Sequence, residues 1–297
     1  STETPIAPDA LVLDKRGNIF QSPVFLKGFF EAQDAGSQCI GEFLRAEPGM
    51  RVVAANSAPC RHCFFCQKGQ ANLCQDLLFV NGAYAQFIRL PARLVQENLL
   101  EVPVHLSFQA AALTEPLACV VRGVQSSRPA KGETVVILGS GPVGLMFAQL
   151  AIQKGCRVIL IGKGKRRLQI AQSCGAETVF DLTNLQDPVR IAQEATPGAR
   201  GADLVIEAVG QPVAWSQALH IARPGGRVLL FGGCPAGTEV PIDTKRFHYG
   251  ELTMLSIFHH TPEAIRESLR LLAEGAIRPD LMINREAPLQ ELPAILR

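Results

Sequence analysis

Four of the nine cysteines stand close together in the stretch PCRHCFFCQKGQANLC, and thiols at such spacing can bind a metal ion. They are Cys60, Cys63, Cys66 and Cys74, in the spacing C-x2-C-x2-C-x7-C. Four thiolates at tetrahedral reach describe a closed structural zinc site, with no coordination position left for water or substrate. The stretch from Cys60 to Cys74, called the cysteine lobe below, is therefore expected to staple a loop and to perform no chemistry.

Two other interpretations of the cysteine lobe remain open. An iron–sulfur cluster usually has its fourth cysteine after three residues and before a proline, whereas here the gap is seven residues and Gln75 follows. Two disulfides would need an oxidising compartment, for which nothing else in the sequence argues. The spacing favours zinc over both. His62 lies inside the lobe, but with four cysteines available it is expected to be a surface residue rather than a ligand.

A second stretch, VVILGSGPVGLMFAQL, carries the glycines of a dinucleotide site. The spacing G-x-G-x-x-G directly follows a predicted strand and opens a predicted helix, as the motif requires. Its first glycine permits a tight turn, its second lets the backbone approach a pyrophosphate, and its third lets helix and strand pack closely. The pyrophosphate then sits against the N–H groups and positive dipole of the helix N-terminus. The predicted cofactor-binding residues of this stretch and of the later AVG turn are Gly139, Gly141, Pro142, Val143, Gly144, Val209 and Gly210.

The end of the next predicted strand, LIGKGKRRL, indicates which dinucleotide is bound. An NAD site usually has Asp or Glu there to bind the ribose 2′-hydroxyl. This chain has Gly162, with Lys163, Lys165 and Arg166 beside it. A small residue leaves room for a 2′-phosphate, and cations bind it through charge-assisted hydrogen bonds. Because cations are disfavoured at a helix N-terminus, a solvated basic helix start is a poorer explanation, and NADP is favoured over NAD.

The elements that must position these residues change character near residue 130. Before it, short apolar runs such as RVVAAN and AQFIRLPA are broken by Pro and Gly, which is typical of an irregular, mostly β region. After it, the buried-strand patterns TVVIL, RVILI, LVIE and RVLLF alternate with helical patterns. This alternation predicts an α/β Rossmann domain, a parallel sheet with helices on both faces. We expect a first domain at residues 1–128, the nucleotide-binding domain at 129–258 and a return segment at 259–297.

The composition excludes several classes of protein. The chain has 297 residues, of which 47% are hydrophobic and 19% charged, and a formal net charge of +2. This balance gives no electrostatic reason to expect nucleic acid or an anionic membrane as partner. No apolar run is long enough to span a bilayer. The segment STETPIAPDA lacks the features of a signal peptide, so a reducing, cytoplasmic location is expected.

The motifs together resemble the zinc-containing medium-chain alcohol dehydrogenases, nearest to the polyol (sorbitol-like) and threonine dehydrogenase branch. The resemblance is carried by PGMRVVAAN, the cysteine lobe, NGAYAQFIRLPA, AALTEPLACVVRG, the glycine motif, GADLVIEAVG and GGRVLLFGG. It implies a mostly β, GroES-like catalytic domain beside the Rossmann domain, hydride transfer between C4 of nicotinamide and a carbonyl carbon, and a homodimer or homotetramer. The implied substrate is a small alcohol or polyol.

The resemblance also implies a second, catalytic zinc, of which this sequence shows one counterpart. Glu115 in TEPLAC matches the glutamate of the family's E-P-L-A segment. The family's C-x-x-C-G cysteine and Gly-His-Glu histidine have no match, and the nearest counterpart is Gly36-Ser37-Gln38 followed by Cys39. The region before the lobe is shorter than the family requires and the end is abrupt, which favours omitted segments over natural loss of the catalytic zinc.

We therefore expect an NADP(H)-dependent, zinc-containing alcohol or polyol dehydrogenase. A zinc-independent reductase of the same superfamily and a non-catalytic nucleotide-binding paralogue remain alternatives; the cysteine lobe argues against the first, and the missing ligands support the second. His259 and His260 follow the apolar run LTMLSIF. Adjacent residues on a strand face opposite ways, so the two histidines are not expected to serve one site. Cys119 stands in an apolar context and is interpreted as a core residue.

Overall fold

A computed structural model gives the fold of the chain. It describes residues 2–3, 11–12, 49–81, 83–85, 87–184, 187–283 and 285–295. The chain divides into two compact units, one formed within Ser1–Val102 and Ala287–Arg297, the other by Pro103–Glu286. Among the described residues, no helix has both the length and the apolar character needed to cross a membrane. The predicted three-part division at residues 128 and 258 stays a prediction.

The first unit contains short antiparallel strand pairs and little regular helix. Strand β1 pairs with β2, β3 with β6, and β4 with β5. The strands are β1 (Thr2–Glu3), β2 (Leu11–Val12), β3 (Val52–Ala54), β4 (Ser57–Ala58), β5 (Leu78–Phe79) and β6 (Leu99–Glu101). The helices are α1 (Phe64–Gln67), a 3-10 turn (Ala71–Leu73), α2 (Ala92–Asn98), a second 3-10 turn (Leu289–Glu291) and α12 (Leu292–Ile295).

One part of this unit differs from the sequence-based expectation. The run AQFIRLPA was expected to belong to a β region, but its described residues form no strand, and Pro91 is the N-cap of helix α2. The following ARLVQEN contains Ala, Arg, Leu, Gln and Glu, all good helix formers. The helix buries Leu94, Val95 and Asn98, and the Asn98 amide donates to the Ser57 carbonyl at 2.6 Å. The helix therefore begins at the last residue of the run, and the described residues before it are irregular.

The second unit is built on a six-stranded parallel sheet. Its order, β12-β11-β10-β7-β8-β9, is that of a doubly wound dinucleotide-binding fold. The strands are β7 (Thr134–Leu138), β8 (Arg157–Gly162), β9 (Thr178–Asp181), β10 (Ala202–Glu207), β11 (Ala222–Leu230) and β12 (Thr253–Ser256). The topological switch point lies between β7 and β10, where such sheets bind ligands at their carboxyl ends.

Helices cover both faces of this sheet, as predicted. They are α3 (Phe108–Ala111), α4 (Thr114–Ser127), α5 (Pro142–Gln153), α6 (Lys165–Ser173), α7 (Pro188–Glu194), α8 (Pro212–Ile221), α9 (Thr244–Tyr249), α10 (Pro262–Ala273) and α11 (Pro279–Met282). Two 3-10 turns, Leu182–Asn184 and Pro197–Ala199, complete the unit.

The sheet forms the core because its strands are apolar on both faces. All five residues of β7 are buried, which is the pattern of a strand in a fully covered parallel sheet. Val136 and its same-face neighbours pack with α7 and α8, including Ala192 and Ala218. On the opposite face, Gly123 of α4 stands against the side chains of Phe147 and Leu229. The strand and helix patterns read from the sequence are thus confirmed.

Candidate functional site

The cysteine lobe brings its four thiols together. The Sγ atoms of Cys60, Cys63, Cys66 and Cys74 all lie within 4.8 Å of one another, and those of Cys63 and Cys74 are 3.9 Å apart. Zinc bonded to four sulfurs at about 2.3 Å spaces those sulfurs by about 3.8 Å. The four side chains therefore fit a tetrahedral ion, as the sequence predicts.

Local backbone hydrogen bonds position these thiols. The Cys60 N–H donates to the Cys74 sulfur at 3.2 Å, and the Gly69 N–H donates to the Cys66 carbonyl. Backbone N–H groups, chiefly that of Cys66, lower the pKa of Cys63 to about 6, whereas burial raises the pKa of Cys66 to about 12. The ring Nδ1 of the exposed His62 lies 2.7 Å from the Cys60 carbonyl oxygen, so its position agrees with the expected surface role.

The glycine motif forms the turn between β7 and α5. Gly139 has φ +118°, and a Cβ atom on it would lie 2.9 Å from the Ala208 carbonyl oxygen. A Cβ on Gly144 would lie 1.9 Å from the Gly139 carbonyl oxygen, so no side chain fits between helix and strand. Around Gly141 nothing lies within 4 Å of such an atom. The first and third glycines are thus required by the fold, and the second faces open space.

Helix α5 directs its amino end at this open space. Gly141 is the N-cap and Pro142 the first residue of the helix. Proline has no N–H group, so the first turn leaves those of Val143 and Gly144 without an intrahelical acceptor. Such donors, together with the helix dipole, bind phosphate groups.

The turn after β10 forms the other side of the switch point. The Ala208 N–H donates to the Leu138 carbonyl at 2.9 Å, which links the ends of β10 and β7. The fully buried Glu207 accepts hydrogen bonds from the N–H groups of Val209 and Gly210 at 2.7 and 2.8 Å. Burial raises the pKa of Glu207, an effect partly offset by these two donors. Val209 is 48% exposed, so its side chain is accessible beside the glycine turn, in keeping with its predicted role.

The predicted 2′-phosphate region consists of a buried glycine and exposed cations. Gly162 ends β8 and is buried, whereas Lys163, Lys165 and Arg166 are exposed. Helix α6 begins at Lys165 and has no acidic residue in its first turn. Three cations therefore lie close to the positive end of a helix dipole, and the first turn of that helix contains no carboxylate to neutralise them. This arrangement favours the binding of an anion beside the cations.

Ser140, which the sequence analysis did not single out, gives Gly162 a different reason from the one expected. A Cβ on Gly162 would lie 2.4 Å from both Cβ and Oγ of Ser140 and 2.7 Å from its backbone nitrogen. The space beside Gly162 is thus filled by protein and does not itself accommodate a phosphate. The Ser140 hydroxyl donates to the Lys163 carbonyl at 2.6 Å and fixes the cation-bearing segment to the glycine turn. The position of this serine between two glycines of the motif was the sequence feature that could have indicated its contact with Gly162.

Glu115 lies in a third cluster, which also contains both histidines. The candidate ligand atoms of Glu115, His259 and His260 all lie within 4.8 Å of one another. The Nε2 atom of His260 is 3.8 Å from Glu115 Oε1, and the two imidazole centroids are 4.0 Å apart. The expectation that the two histidines cannot serve one site is therefore wrong.

The physical reason is that the histidines lie beyond the strand. Strand β12 ends at Ser256, and His259 has the left-handed backbone conformation with φ +62°. This turn breaks the strand alternation and brings both rings towards Glu115. The Nη1 atom of Arg122 donates to the carbonyl oxygens of Phe258 and His259, at 2.7 Å each, and holds the turn against α4.

Burial determines the protonation of this cluster. Burial, then the charges of His259 and Arg122, lower the pKa of His260 to about 3; burial and Arg122 also lower that of His259. Burial raises the pKa of Glu115, and the Cys119 thiol, which donates to Glu115 at 3.7 Å, offsets part of the rise. At 3.8 Å the pair His260–Glu115 is too long for a hydrogen bond, and with a neutral imidazole it is no salt bridge. Cys119 therefore contacts the cluster rather than serving only the core.

The nearest counterparts of the missing zinc ligands lie outside the described residues. They are Gly36, Ser37, Gln38 and Cys39.

The doubly wound sheet, glycine turn and four-cysteine lobe together are typical of the zinc-type, nucleotide-dependent oxidoreductases. The family model of the alcohol dehydrogenase GroES-like domain matches residues 37–103, and that of the zinc-binding dehydrogenase matches residues 142–274. The chain belongs to the zinc-binding medium-chain alcohol dehydrogenase family.

Named relatives agree with this family. D-arabitol-phosphate dehydrogenase of Enterococcus avium is 34% identical over 78% of this chain and 66% of its own. L-threonine 3-dehydrogenase of Bacillus subtilis is 33% identical over 87% of this chain and 72% of its own. A solved structure from Sinorhizobium meliloti 1021, described as a zinc-binding dehydrogenase bound to NADP, superimposes with a TM-score of 0.76 at 32% identity, covering 84% and 73% of the two chains. The chain spans about two thirds of the length of the first curated relatives it matches.

Proposed function

We propose that the chain is an NADP(H)-dependent, zinc-containing dehydrogenase that interconverts a small alcohol or polyol with the corresponding carbonyl compound. The observation that carries the proposal is the glycine turn, in which Gly141 faces open space at the amino end of α5. Family membership and the names of the polyol-dehydrogenase relatives support the substrate class. The proposal includes a homodimer or homotetramer in a reducing, cytoplasmic compartment.

In this proposal the chain's residues bind and orient the cofactor. The N–H groups of Val143 and Gly144 receive the pyrophosphate, and Lys163, Lys165 and Arg166 receive the 2′-phosphate. Val209 and Gly210 line the other side of the switch point. The dinucleotide, when bound, supplies the acceptor or donor of a hydride, and zinc in the cysteine lobe supplies rigidity only.

The preference for NADP over NAD depends on exposed cations rather than on space beside Gly162. Each charge-assisted hydrogen bond to a phosphate contributes about 1.5–3 kcal/mol. We therefore expect Lys165→Ala combined with Arg166→Ala to weaken NADPH binding at least tenfold and to leave NADH binding nearly unchanged. Lys154→Ala is the matched control, because Lys154 caps the opposite end of α5. Equal losses for both cofactors would overturn the 2′-phosphate assignment.

The activity itself is tested by NADP-linked oxidation of a panel of polyols and secondary alcohols, with and without a zinc chelator. Turnover that disappears with the chelator is the expected result. Turnover that survives complete removal of zinc would favour a zinc-independent reductase. NADPH binding without turnover on any substrate would favour a non-catalytic nucleotide-binding protein. Either of these two results contradicts the proposal.

A further inference from the structure

We propose that Glu115, His259 and His260 form a second metal site, which binds one zinc ion independently of the cysteine lobe. Three donor atoms, one from each residue, lie within 4.8 Å of one another. In a tetrahedral zinc site with bonds of about 2.0–2.2 Å, two N or O ligand atoms are about 3.3–3.6 Å apart. The 3.8 Å between His260 Nε2 and Glu115 Oε1 is close to this spacing. The widest pair would have to close by about 1.2–1.5 Å when the metal binds.

The chemistry of the three donors suits zinc. Two imidazoles and one carboxylate are a known ligand set of zinc sites that keep an open coordination position, whereas four thiolates form a closed site. Imidazole must be neutral to bind a metal, and the burial of both histidines favours that form. These ligands differ from the cysteine and Gly-His-Glu residues that the family resemblance implies, and only Glu115 is shared with that set.

The fold holds the three side chains in place from both sides. Thr261 is the N-cap of α10 and its hydroxyl accepts from the Ala264 N–H at 3.3 Å, so the helix begins directly after the histidines. Further along α10, the buried Ser268 hydroxyl donates to the Thr114 carbonyl at 2.6 Å. Thr114 is the residue before Glu115. The turn and the carboxylate are thus attached to the same two packed helices.

One feature acts against a cation at this position. The guanidinium of Arg122 lies beside the turn that carries both histidines, and its positive charge would repel a divalent ion. Its Nη1 atom is held by two backbone carbonyls, so it remains a permanent neighbour. We therefore expect this site to bind zinc more weakly than the cysteine lobe and to lose it first to a chelator.

A zinc ion with three protein ligands can polarise an alcohol or carbonyl oxygen, and this use of the site rests on the proposed dehydrogenase function. Binding of the metal does not rest on it. A chain that holds two zinc ions but oxidises no alcohol would overturn the function and leave the site standing. A chain that oxidises an alcohol with zinc in the cysteine lobe alone would overturn the second metal site and leave the proposed function standing.

The test is the zinc content of the purified 297-residue chain, measured by elemental mass spectrometry. We expect two zinc ions per chain for the wild type and one for Glu115→Gln and His259→Asn. Asparagine is chosen because it tolerates the positive φ of His259. The control is His248→Gln, which removes an exposed histidine of α9 and should leave two. One zinc ion in the wild type, or two in both cluster variants, would overturn the proposal. So would one iron ion per wild-type chain that is lost in Glu115→Gln and His259→Asn, because the site would then bind iron rather than zinc.

Cobalt substitution gives a second readout. Cobalt held by thiolates shows sulfur-to-cobalt charge-transfer absorption, whereas cobalt held by imidazole and carboxylate does not. We expect Glu115→Gln to lose half of the bound cobalt and to keep the whole charge-transfer band. Loss of the band together with the metal would mean that the variant had disturbed the cysteine lobe. A folded variant that keeps both equivalents of cobalt would refute the site.

Discussion

The glycine turn allows fold and ligand binding to be separated by two substitutions three residues apart. In Gly144→Ala the new Cβ would lie 1.9 Å from the Gly139 carbonyl oxygen, about 1.5 Å short of an ordinary contact of about 3.5 Å. The obstacle is backbone, so strand β7 and helix α5 must move apart. Overpacking of this kind costs about 1–3 kcal/mol, and a rigid obstacle favours the upper end.

In Gly141→Ala the new Cβ meets nothing within 4 Å, and the φ of −70° at Gly141 is compatible with alanine. Alanine is a poorer N-cap than glycine, but it loses less backbone entropy on folding. The two effects nearly cancel, so the free energy of unfolding should change by about 0.5 kcal/mol or less. The methyl group instead occupies space that the proposal gives to the pyrophosphate, so NADPH affinity should fall at least tenfold.

Thermal unfolding and NADPH fluorescence titration of the two variants decide the matter. For a unit of this size, 1 kcal/mol shifts Tm by about 2–4 °C. Gly144→Ala should therefore lower Tm by about 6–12 °C, and Gly141→Ala by about 2 °C or less. If Gly141→Ala bound NADPH as tightly as the wild type, the open space would not be the pyrophosphate site. If the two variants unfolded at the same temperature, the packing argument for the third glycine would be refuted.

Three further predictions concern protonation, the histidine turn and the cysteine lobe. Because the pKa of buried Glu207 is raised, its carboxyl group keeps a proton above pH 4.5 in the folded chain, whereas the unfolded chain has lost it. The free energy of unfolding should therefore fall as pH rises from 4.5 towards 8. Urea unfolding over pH 4.5–8 should show a flatter pH dependence for Glu207→Gln. Arg122→Met removes two hydrogen bonds to the turn that carries the histidines and should cost about 1–3 kcal/mol of unfolding free energy, whereas an unchanged midpoint would show that the turn holds itself. The cysteine lobe buries only Ala71, Asn72 and Cys74, so a strong chelator should make the chain cleavable by trypsin at Lys68 before it changes the thermal unfolding of the second unit. Simultaneous loss of trypsin resistance and of the thermal stability of that unit would contradict this prediction.

Local patterns predicted the parts of the fold that local interactions determine. The run TVVIL is a strand with the predicted bounds, Thr134–Leu138, because five consecutive apolar residues are buried on both faces of a parallel sheet. The helix predicted to begin at the glycine motif spans Pro142–Gln153. The three glycines have the steric roles that the motif implies, and the four cysteines converge because their spacing already restricts them to one short loop.

What the sequence could not predict depends on residues that meet only in the folded chain. The alternation rule was applied to His259 and His260 beyond the end of β12, where it no longer holds. Nothing in the letters FHHT indicates a left-handed residue, because histidine adopts positive φ only when its surroundings require it. Here the carbonyl oxygens of the turn accept hydrogen bonds from Arg122, which is far away in the sequence. Gly162 was likewise explained by a ligand, although Ser140 on a neighbouring turn is sufficient to require it.

The glycines near the nucleotide site differ in whether their protein neighbours require them. A glycine that a neighbouring backbone or side chain excludes would be retained in a protein that binds no ligand, so Gly144 and Gly162 support the fold but say little about the cofactor. Gly141 has no neighbour to satisfy, and the cations after β8 have no acidic partner in the first turn of α6. Packing does not require Gly141, and the first turn of α6 supplies no carboxylate for Lys165 and Arg166, so the dinucleotide assignment rests on these residues. The second metal site likewise rests on the convergence of donor atoms from Glu115, His259 and His260 within 4.8 Å of one another, and not on the burial of any one of them.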